Sequence, residues 1–440
     1  MRQCRAITLT PDGTSMLATT RRAHRTGPPN VPPVRRCAAK ILHVATFIFP
    51  DLMAGAERFV RGTARAQAAR GHDVTVIAGN PWGLPAEERR DGFRLLRYPL
   101  RKERGFRFYQ DVRHQVESTL QTLSRERFDV LHAHQLASAV PALSASFPAR
   151  KVLSFHASYR LEFEAERLDG QPAGDHRTLG LSEKLKSLAI GVLDRQCLQK
   201  AERIVVHSRF VLGQVEHLMP SALDRLRIVP PGVDLERFSP GDRDTARRKF
   251  DLPADVPLVV TVRRLARRMG IDLLLRAIHR LVARGIPVGL AIGGVGPERD
   301  ALEGLCRELR LEPHVRFLGR VPDELLPELL RAADVFVLPT RSMEGFGMVT
   351  IEAMASGTPV VATDNGATPE ILSAVDLGLL TPADPDALAA ALERLLANAE
   401  LRRALAVRGV EVVRSRYTWD ACVTDLDKVY EELCGAAARA

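Results

Sequence analysis

Residues 344–363 read EGFGMVTIEAMASGTPVVAT, and the order of turn and apolar residues in this stretch decides how the chain is built. Met348, Val349, Ile351, Ala353 and Met354 recur at helical spacing from Gly347 onward; Gly357 supplies a C-terminal stop, Pro359 lies beyond it, and VVAT forms the next strand. A helix running directly into a short apolar strand is the unit of an alternating α/β architecture. Gly345 and Gly347 let backbone N–H groups approach a ligand closely, and the helix N-terminus adds partial positive charge, so the turn suits an anion or sugar hydroxyls. Glu344 stands at the mouth of this turn, and Glu352 lies about 7.5 Å further along at roughly 1.5 Å per residue. Carboxylates so spaced do not make the close pair, about 5 Å apart, of a retaining glycosidase. They suit two ends of one long ligand; a loop charge and a helix-surface carboxylate fit the same spacing.

The alternation extends in both directions. From Lys40, strand-like KILHVATFIF is followed by the helix AERFVRGTARAQAARG, and DVTVIAG, FDVLHAH, KVLSFHA, RIVVHS and RLRIVPPG continue the strand series. Residues 230–257 are rich in Pro, Gly and charge and read as a linker. The alternation then restarts with PLVVTV, GIDLLLRAIHRLVARG, VGLAIGG, PERDALEGLCRELRL, VRFLG, PDELLPELLRAA and DVFVLPT. Short apolar strands between amphipathic helices predict doubly wound parallel sheets, here two Rossmann-like domains in tandem with the ligand in the cleft between them. The expected divisions are a basic tail over 1–36, an N-terminal domain over 37–233, a C-terminal domain over 234–415 and a final helical segment over 416–440.

Composition narrows the function. At 440 residues the chain exceeds one compact core, and 45% apolar content is that of a globular protein. No run of about 18 apolar residues predicts a membrane-spanning helix. Of the net charge of +10, residues 1–36 hold +6 as seven arginines against one aspartate, leaving +4 for the rest. That suffices for a cleft binding a phosphorylated small molecule, and no nucleic-acid-binding motif accompanies it. The tail, ending GPPNVPPVRR, lacks apolar periodicity and the continuous apolar core of a secretory signal, so it is expected to be disordered. Cys4, Cys37, Cys197, Cys306, Cys422 and Cys434 are scattered without metal spacing and fit unpaired thiols in a reducing cytoplasm. No Gly-x-Gly-x-x-Gly follows either first strand, which counts against a dinucleotide cofactor. GGVGPERD (293–300) is a glycine-rich turn after a strand, fitting a phosphate loop or a plain strand-helix connection.

An ordered set of segments resembles the retaining family 4 glycosyltransferases of the GT-B fold: AGAERFV (54–60), FHAS (155–158), PPGVDLERF (230–238), RRLARRMG (263–270), GGVGP (293–297), VRFLGRV (315–321), AADVFVLPT (332–340) and residues 344–363. The resemblance implies that the Glu-x7-Glu segment grips a nucleotide-diphosphate sugar. Glu344 would sit beside the transferred sugar, Phe346 and Gly347 would offer it backbone contacts, and Glu352 would accept hydrogen bonds from the ribose. Arg264 would clamp the diphosphate. Where the family usually has lysine this chain has Met269, and the neighbouring Arg268 is expected to supply the charge; Arg263 and Arg267 read as solvated arginines. Gly55, Gly294 and Gly296 would approach the donor, and His156 falls where the family places a histidine next to the sugar. RYTWDACVTDLDKVYEEL (416–433) resembles the family's last helix, which returns to the N-terminal domain, with Thr418 as its N-cap.

The implied reaction moves a hexose-type sugar to a hydroxyl acceptor on a glycan, lipid or small molecule, with retained configuration and no metal, since arginines and a helix N-terminus stand in for one. A nucleotide-sugar epimerase and a non-catalytic nucleotide-sugar-binding protein use the same architecture. Residues 100–120, LRKERGFRFYQDVRHQVESTL, interleave basic and aromatic side chains; they read as a solvated helix, or as a peripheral contact with an anionic inner membrane face.

Overall fold

The computed structural model describes residues 38–50, 55–101, 103, 105–168 and 179–437. The expected tail over 1–36 lies outside them, as does Ala54.

The first half runs β1 (Lys40–Val44), α1 (Gly55–Ala69), β2 (Asp73–Asn80), β3 (Glu87–Arg90), β4 (Phe93–Pro99), α2 (Gly105–Leu123), β5 (Val130–His134), α3 (Leu136–Ser144), β6 (Arg150–Ser154), α4 (Tyr159–Leu168), α5 (Leu181–Lys200), β7 (Arg203–Val206), α6 (Arg209–Leu218) and β8 (Leu226–Ile228). These strands form one sheet in the order β3-β4-β2-β1-β5-β6-β7-β8, parallel except for β3. Period-two alternation sends side chains to both faces. Leu42 and Val44 pack with Val112 and Val116 of α2 and Leu143 of α3, whereas Ile41 and Ala45 pack with Phe59 and Val60 of α1.

The second half runs α7 (Arg243–Lys249), β9 (Leu258–Val262), α8 (Ile271–Ala283), β10 (Gly289–Gly293), α9 (Arg299–Glu308), β11 (Val315–Gly319), α10 (Leu326–Ala332), β12 (Val335–Leu338), α11 (Met348–Ala355), β13 (Val360–Thr363), α12 (Thr368–Leu372), β14 (Leu380–Thr381), α13 (Pro385–Leu396), α14 (Ala399–Arg416) and α15 (Trp419–Ala437). Its sheet, β11-β10-β9-β12-β13-β14, is wholly parallel. Two α/β domains with parallel sheets, the GT-B architecture, are therefore present. Helix α8 shows why local sequence suffices here: Ile271, Leu274, Leu275, Ile278 and Leu281 fall on one face and are buried.

The last helix belongs to the first sheet. Thr418 Oγ1 accepts from Ala421 N at 3.1 Å as an N-cap, and Cys422, Leu426, Val429, Tyr430 and Leu433 of α15 join the core around Ile41 and Phe59. Gly62 and Gly232 permit the return, since a Cβ on either would fall within 2.5 Å of Trp419.

Two features depart from the sequence reading. Residues 230–257 are not a free linker: Val233, Phe238, Ala246 and Leu252 belong to the C-terminal core, and Arg247 of α7 is buried. Its guanidinium pairs with Asp334 at 2.5 Å and donates to the Ala332, Pro253, Ala254 and Val256 carbonyls, so this one buried charge of the segment is fully satisfied. Strands β3 and β4 were also missed; they form a hairpin around Asp91-Gly92, both with positive φ, a recognised hairpin signal.

Candidate active site

The carboxyl ends of both sheets face one cleft, where open α/β sheets bind ligands. On the C-terminal side, Gly347 adopts a left-handed φ of 81° and opens α11, leaving the first backbone N–H groups of the helix without intrahelical acceptors. Glu344 is buried beside this turn, accepting from Thr340 Oγ1 at 2.9 Å and pairing with Arg263 Nη2 at 2.8 Å. Arg263 is thus an inward arginine rather than a solvated one. Glu352 is buried within α11 and pairs with Arg58 Nη1 of α1 at 3.1 Å. Burial raises its pKa above the ordinary carboxylate value, with Arg58 opposing the shift. Arg58 also holds Asp323 at 2.5 Å, so the ion-pair network crosses the cleft. Phe346 packs edge-on to Tyr417 at 5.7 Å, leaving its backbone rather than its ring to serve the turn.

The arginine segment is held by the glycine turn. A Cβ at Gly294 would lie 1.8 Å from the Arg263 carbonyl oxygen and one at Gly296 2.2 Å from that of Leu265, so both glycines press backbone against backbone. Arg264 projects outward, 58% exposed, and meets Glu166 of α4 at 2.9 Å. Arg268 is more enclosed, meeting Glu162 of α4 at 3.2 Å and donating to the Met343 carbonyl at 3.4 Å. Met269 is buried with its sulfur 2.8 Å from Arg263 Nη2. Met269 is therefore a neutral side chain, and the neighbouring Arg263, Arg264 and Arg268 are each paired with a carboxylate.

From the N-terminal side, Gly55 opens α1, with no atom of the described residues within 4 Å of where its Cβ would lie. His156 follows β6, and a Cβ on Gly345 would come 3.0 Å from its carbonyl oxygen, which brings the two predicted segments face to face. Ser208 Oγ donates to the Gly345 carbonyl at 2.8 Å, and the Glu370 carboxylate accepts from Arg209 N and Phe210 N at 2.8 and 2.9 Å, which joins α12 to α6 across the cleft. Glu57 is buried, accepts from Gln135 Nε2 at 2.7 Å and has its pKa pushed up to about 7 by burial.

Among the described residues one histidine group, His43, His132 and His134, has ligand atoms within 4.8 Å of one another. Five of its six ring nitrogens already have partners: Gln67, His134, Tyr430, Ser154 and His43. Burial lowers the pKa of all three, so the rings are neutral and form a buried hydrogen-bond network.

Residues 53–237 match the model of Glycosyltransferase Family 4, and residues 242–411 match that of Glycosyl transferases group 1. A D-inositol 3-phosphate glycosyltransferase of Acidothermus cellulolyticus is 30% identical over 423 residues, covering 90% of each chain. The chain belongs to glycosyltransferase family 4. An uncharacterised glycosyltransferase of Methanocaldococcus jannaschii is 27% identical over 390 residues, covering 87% of this chain and 95% of that protein. Among solved structures, sucrose-phosphate synthase of Thermosynechococcus elongatus superposes with a TM-score of 0.77 at 25% identity, covering 90% of this chain and 100% of its own. An Anabaena protein solved in complex with UDP-glucose shares the fold, with a TM-score of 0.67 at 19% identity, covering 90% of this chain and 100% of its own.

The cleft side chains that sequence reasoning did not single out are Arg58, Arg263, Glu162 and Glu166. Arg58 lies inside the quoted AGAERFV segment, but its partner Glu352 is 294 residues away in sequence.

Proposed function

We propose that this glycosyltransferase transfers a hexose-type sugar from a nucleotide-diphosphate sugar to a hydroxyl acceptor with retention of anomeric configuration. The observation that carries the proposal is the glycine-opened N-terminus of α11 set between two buried carboxylates, Glu344 and Glu352, opposite His156. An anionic diphosphate suits the helix N-terminus and the guanidinium groups of Arg264 and Arg268; ribose hydroxyls suit Glu352 and sugar hydroxyls suit Glu344. The Anabaena structure with UDP-glucose supports a nucleoside-diphosphate donor, and the name of the Acidothermus relative supports a polyol hydroxyl as acceptor.

On this reading the acceptor oxygen attacks the anomeric carbon from the face that the diphosphate leaves. A leaving phosphate oxygen takes the acceptor's proton, and preorganised cations stabilise the charge that develops there. No resident metal is required. The unpaired thiols of Cys197, Cys306, Cys422 and Cys434 fit a cytoplasmic setting. Among the described residues no helix is long and apolar enough to cross a membrane; a peripheral contact would use α2, where Phe106 is 71% exposed beside Arg107.

A panel of nucleotide sugars and polyol acceptors, read by nucleotide release and by NMR of the product's anomeric proton, tests the proposal. Acceptor-dependent release with retained configuration is expected. Release without acceptor, accompanied by an isomerised sugar, points to an epimerase, and an inverted product overturns retention.

A further inference from the structure

His156 does not stand alone in the cleft wall. Its Nδ1 lies 3.0 Å from Nε2 of His207, whose own Nδ1 lies 2.9 Å from the Val229 carbonyl oxygen. Nε2 of His156 is buried and, among the described residues, has no hydrogen-bond partner. Phe59 fills the adjoining side, its ring centroid 5.5 Å from that of His156 and 4.3 Å from that of His207, so neither a donor nor an acceptor reaches the pair from there.

The order of these contacts fixes the protons. A carbonyl oxygen only accepts, so His207 must carry its hydrogen on Nδ1. A neutral imidazole has one N–H, which leaves Nε2 of His207 as a lone pair. The contact at 3.0 Å is then a hydrogen bond only if His156 donates from Nδ1. Nε2 of His156 is left as a bare lone pair. Burial lowers the pKa of both rings, His207 to about 4, so both are neutral and the assignment holds at neutral pH.

We propose that His207 is a positioning residue that holds His156 in the Nδ1–H form, so that its free Nε2 accepts a hydrogen bond from a sugar hydroxyl and refuses a carbonyl, carboxylate or phosphate oxygen. This rests on the reading that His156 faces the transferred sugar. The chemistry is selective because a lone pair meets a hydroxyl hydrogen favourably and any acceptor oxygen unfavourably. The Val229 carbonyl, backbone of the segment following β8, is the anchor, so the preference is built into the fold.

The test uses three variants of the full chain. In His207→Gln the amide N–H can donate to Val229 O and the amide oxygen can accept from His156, preserving the polarity of the chain; His207→Leu keeps bulk and loses both bonds; His156→Ala identifies the His156 signals by their disappearance. Imidazole nitrogen NMR on histidine-labelled protein should show His156 protonated at Nδ1 in the wild type and in His207→Gln, and shifted toward the other tautomer in His207→Leu. With UDP-glucose as the first donor, kcat should fall at least about tenfold in His207→Leu, the size of one buried hydrogen bond, with donor KM little changed, and His207→Gln should recover most of it. A wild-type His156 protonated at Nε2 overturns the inference whether or not any variant folds. Equal loss in both His207 variants with an unchanged His156 tautomer also overturns it. Full activity of His156→Ala instead removes the sugar-facing reading of His156 and leaves the tautomer assignment standing on the spectra.

Discussion

Replacing Glu162 by glutamine should tighten donor binding, because Glu162 pairs with Arg268, the arginine proposed to hold the diphosphate. Its carboxylate lies 3.2 Å from Arg268, with side-chain exposures of 34% and 12%, whereas the neighbouring Glu166–Arg264 pair is 40% and 58% exposed. Both pairs must yield when a diphosphate arrives. The exposed pair is screened by solvent and contributes about 0.2–1 kcal/mol. The enclosed one, a hydrogen bond between charged groups, contributes roughly 1–1.5 kcal/mol after desolvation. Removing it therefore lowers the donor Kd about fivefold to tenfold. Burial raises the pKa of Glu162, with Arg268 opposing, so acidification protonates the wild-type carboxylate first and narrows the gap between wild type and variant. Calorimetric titration of UDP-glucose or UDP at pH 7.5 and pH 5.5 measures both effects. Weaker binding by Glu162→Gln would show that Glu162 is itself a ligand. Unchanged binding by both Glu162→Gln and Arg268→Ala would reduce the pair to a structural tie between the domains.

The two buried glutamates should fail differently. Glu352→Gln should raise the donor Kd roughly tenfold by losing a charge-assisted bond, whereas Glu344→Gln should lower kcat on the order of 100-fold, as loss of a preorganised polar group does; equal and negligible effects would reduce both to structural carboxylates. Exhaustive chelation should leave transfer intact, and loss restored only by a divalent ion would refute the reading that cationic side chains suffice. The histidines set the acid limit: with folded pKa values of His43 and His207 lowered to about 4, the unfolded chain binds more protons below about pH 6.5, so Tm should fall as pH drops from 6.5 toward 4. Glu57 works in the other direction, since its folded pKa of about 7 favours folding at low pH and the benefit is lost as pH rises from about 4.5 to 7; Glu57→Gln should therefore gain stability relative to wild type as pH climbs through that window, and a variant less stable at pH 8 than at pH 5 relative to wild type would refute the assignment.

The fold was legible because parallel-sheet proteins write their architecture locally. Strand β9, LVVTV, is an apolar run because helices cover both faces of its sheet, and α8 declares its buried face at i, i+3 and i+4 spacing. The misreading of residues 230–257 has a definite cause. Composition counts Arg247 as polar surface, whereas its hydrogen-bond partners, reaching as far as Asp334, remove the cost of burying it. The β3–β4 hairpin is marked in sequence only by Asp91-Gly92, because its antiparallel edge breaks the alternation of helix and strand that runs through the rest of the chain.

For the site, what could be read was what one turn and one helix contain: Glu344, Gly347 and Glu352 are spaced by the helix that holds them. What could not be read was who faces them. Arg58 meets Glu352 across 294 residues, Arg268 meets Glu162 across 106, and Arg264 meets Glu166 across 98, and no periodicity links such positions. His207 is the sharpest case. In sequence it falls between β7 and Ser208, the N-cap of α6, and nothing distinguishes it from a structural residue beside a strand end. Only the meeting of β6, β7 and the segment after β8 turns it into the link between a backbone carbonyl and His156. Chemistry that depends on which nitrogen carries a proton is therefore fixed by topology, and a motif search that finds the histidine cannot find its tautomer.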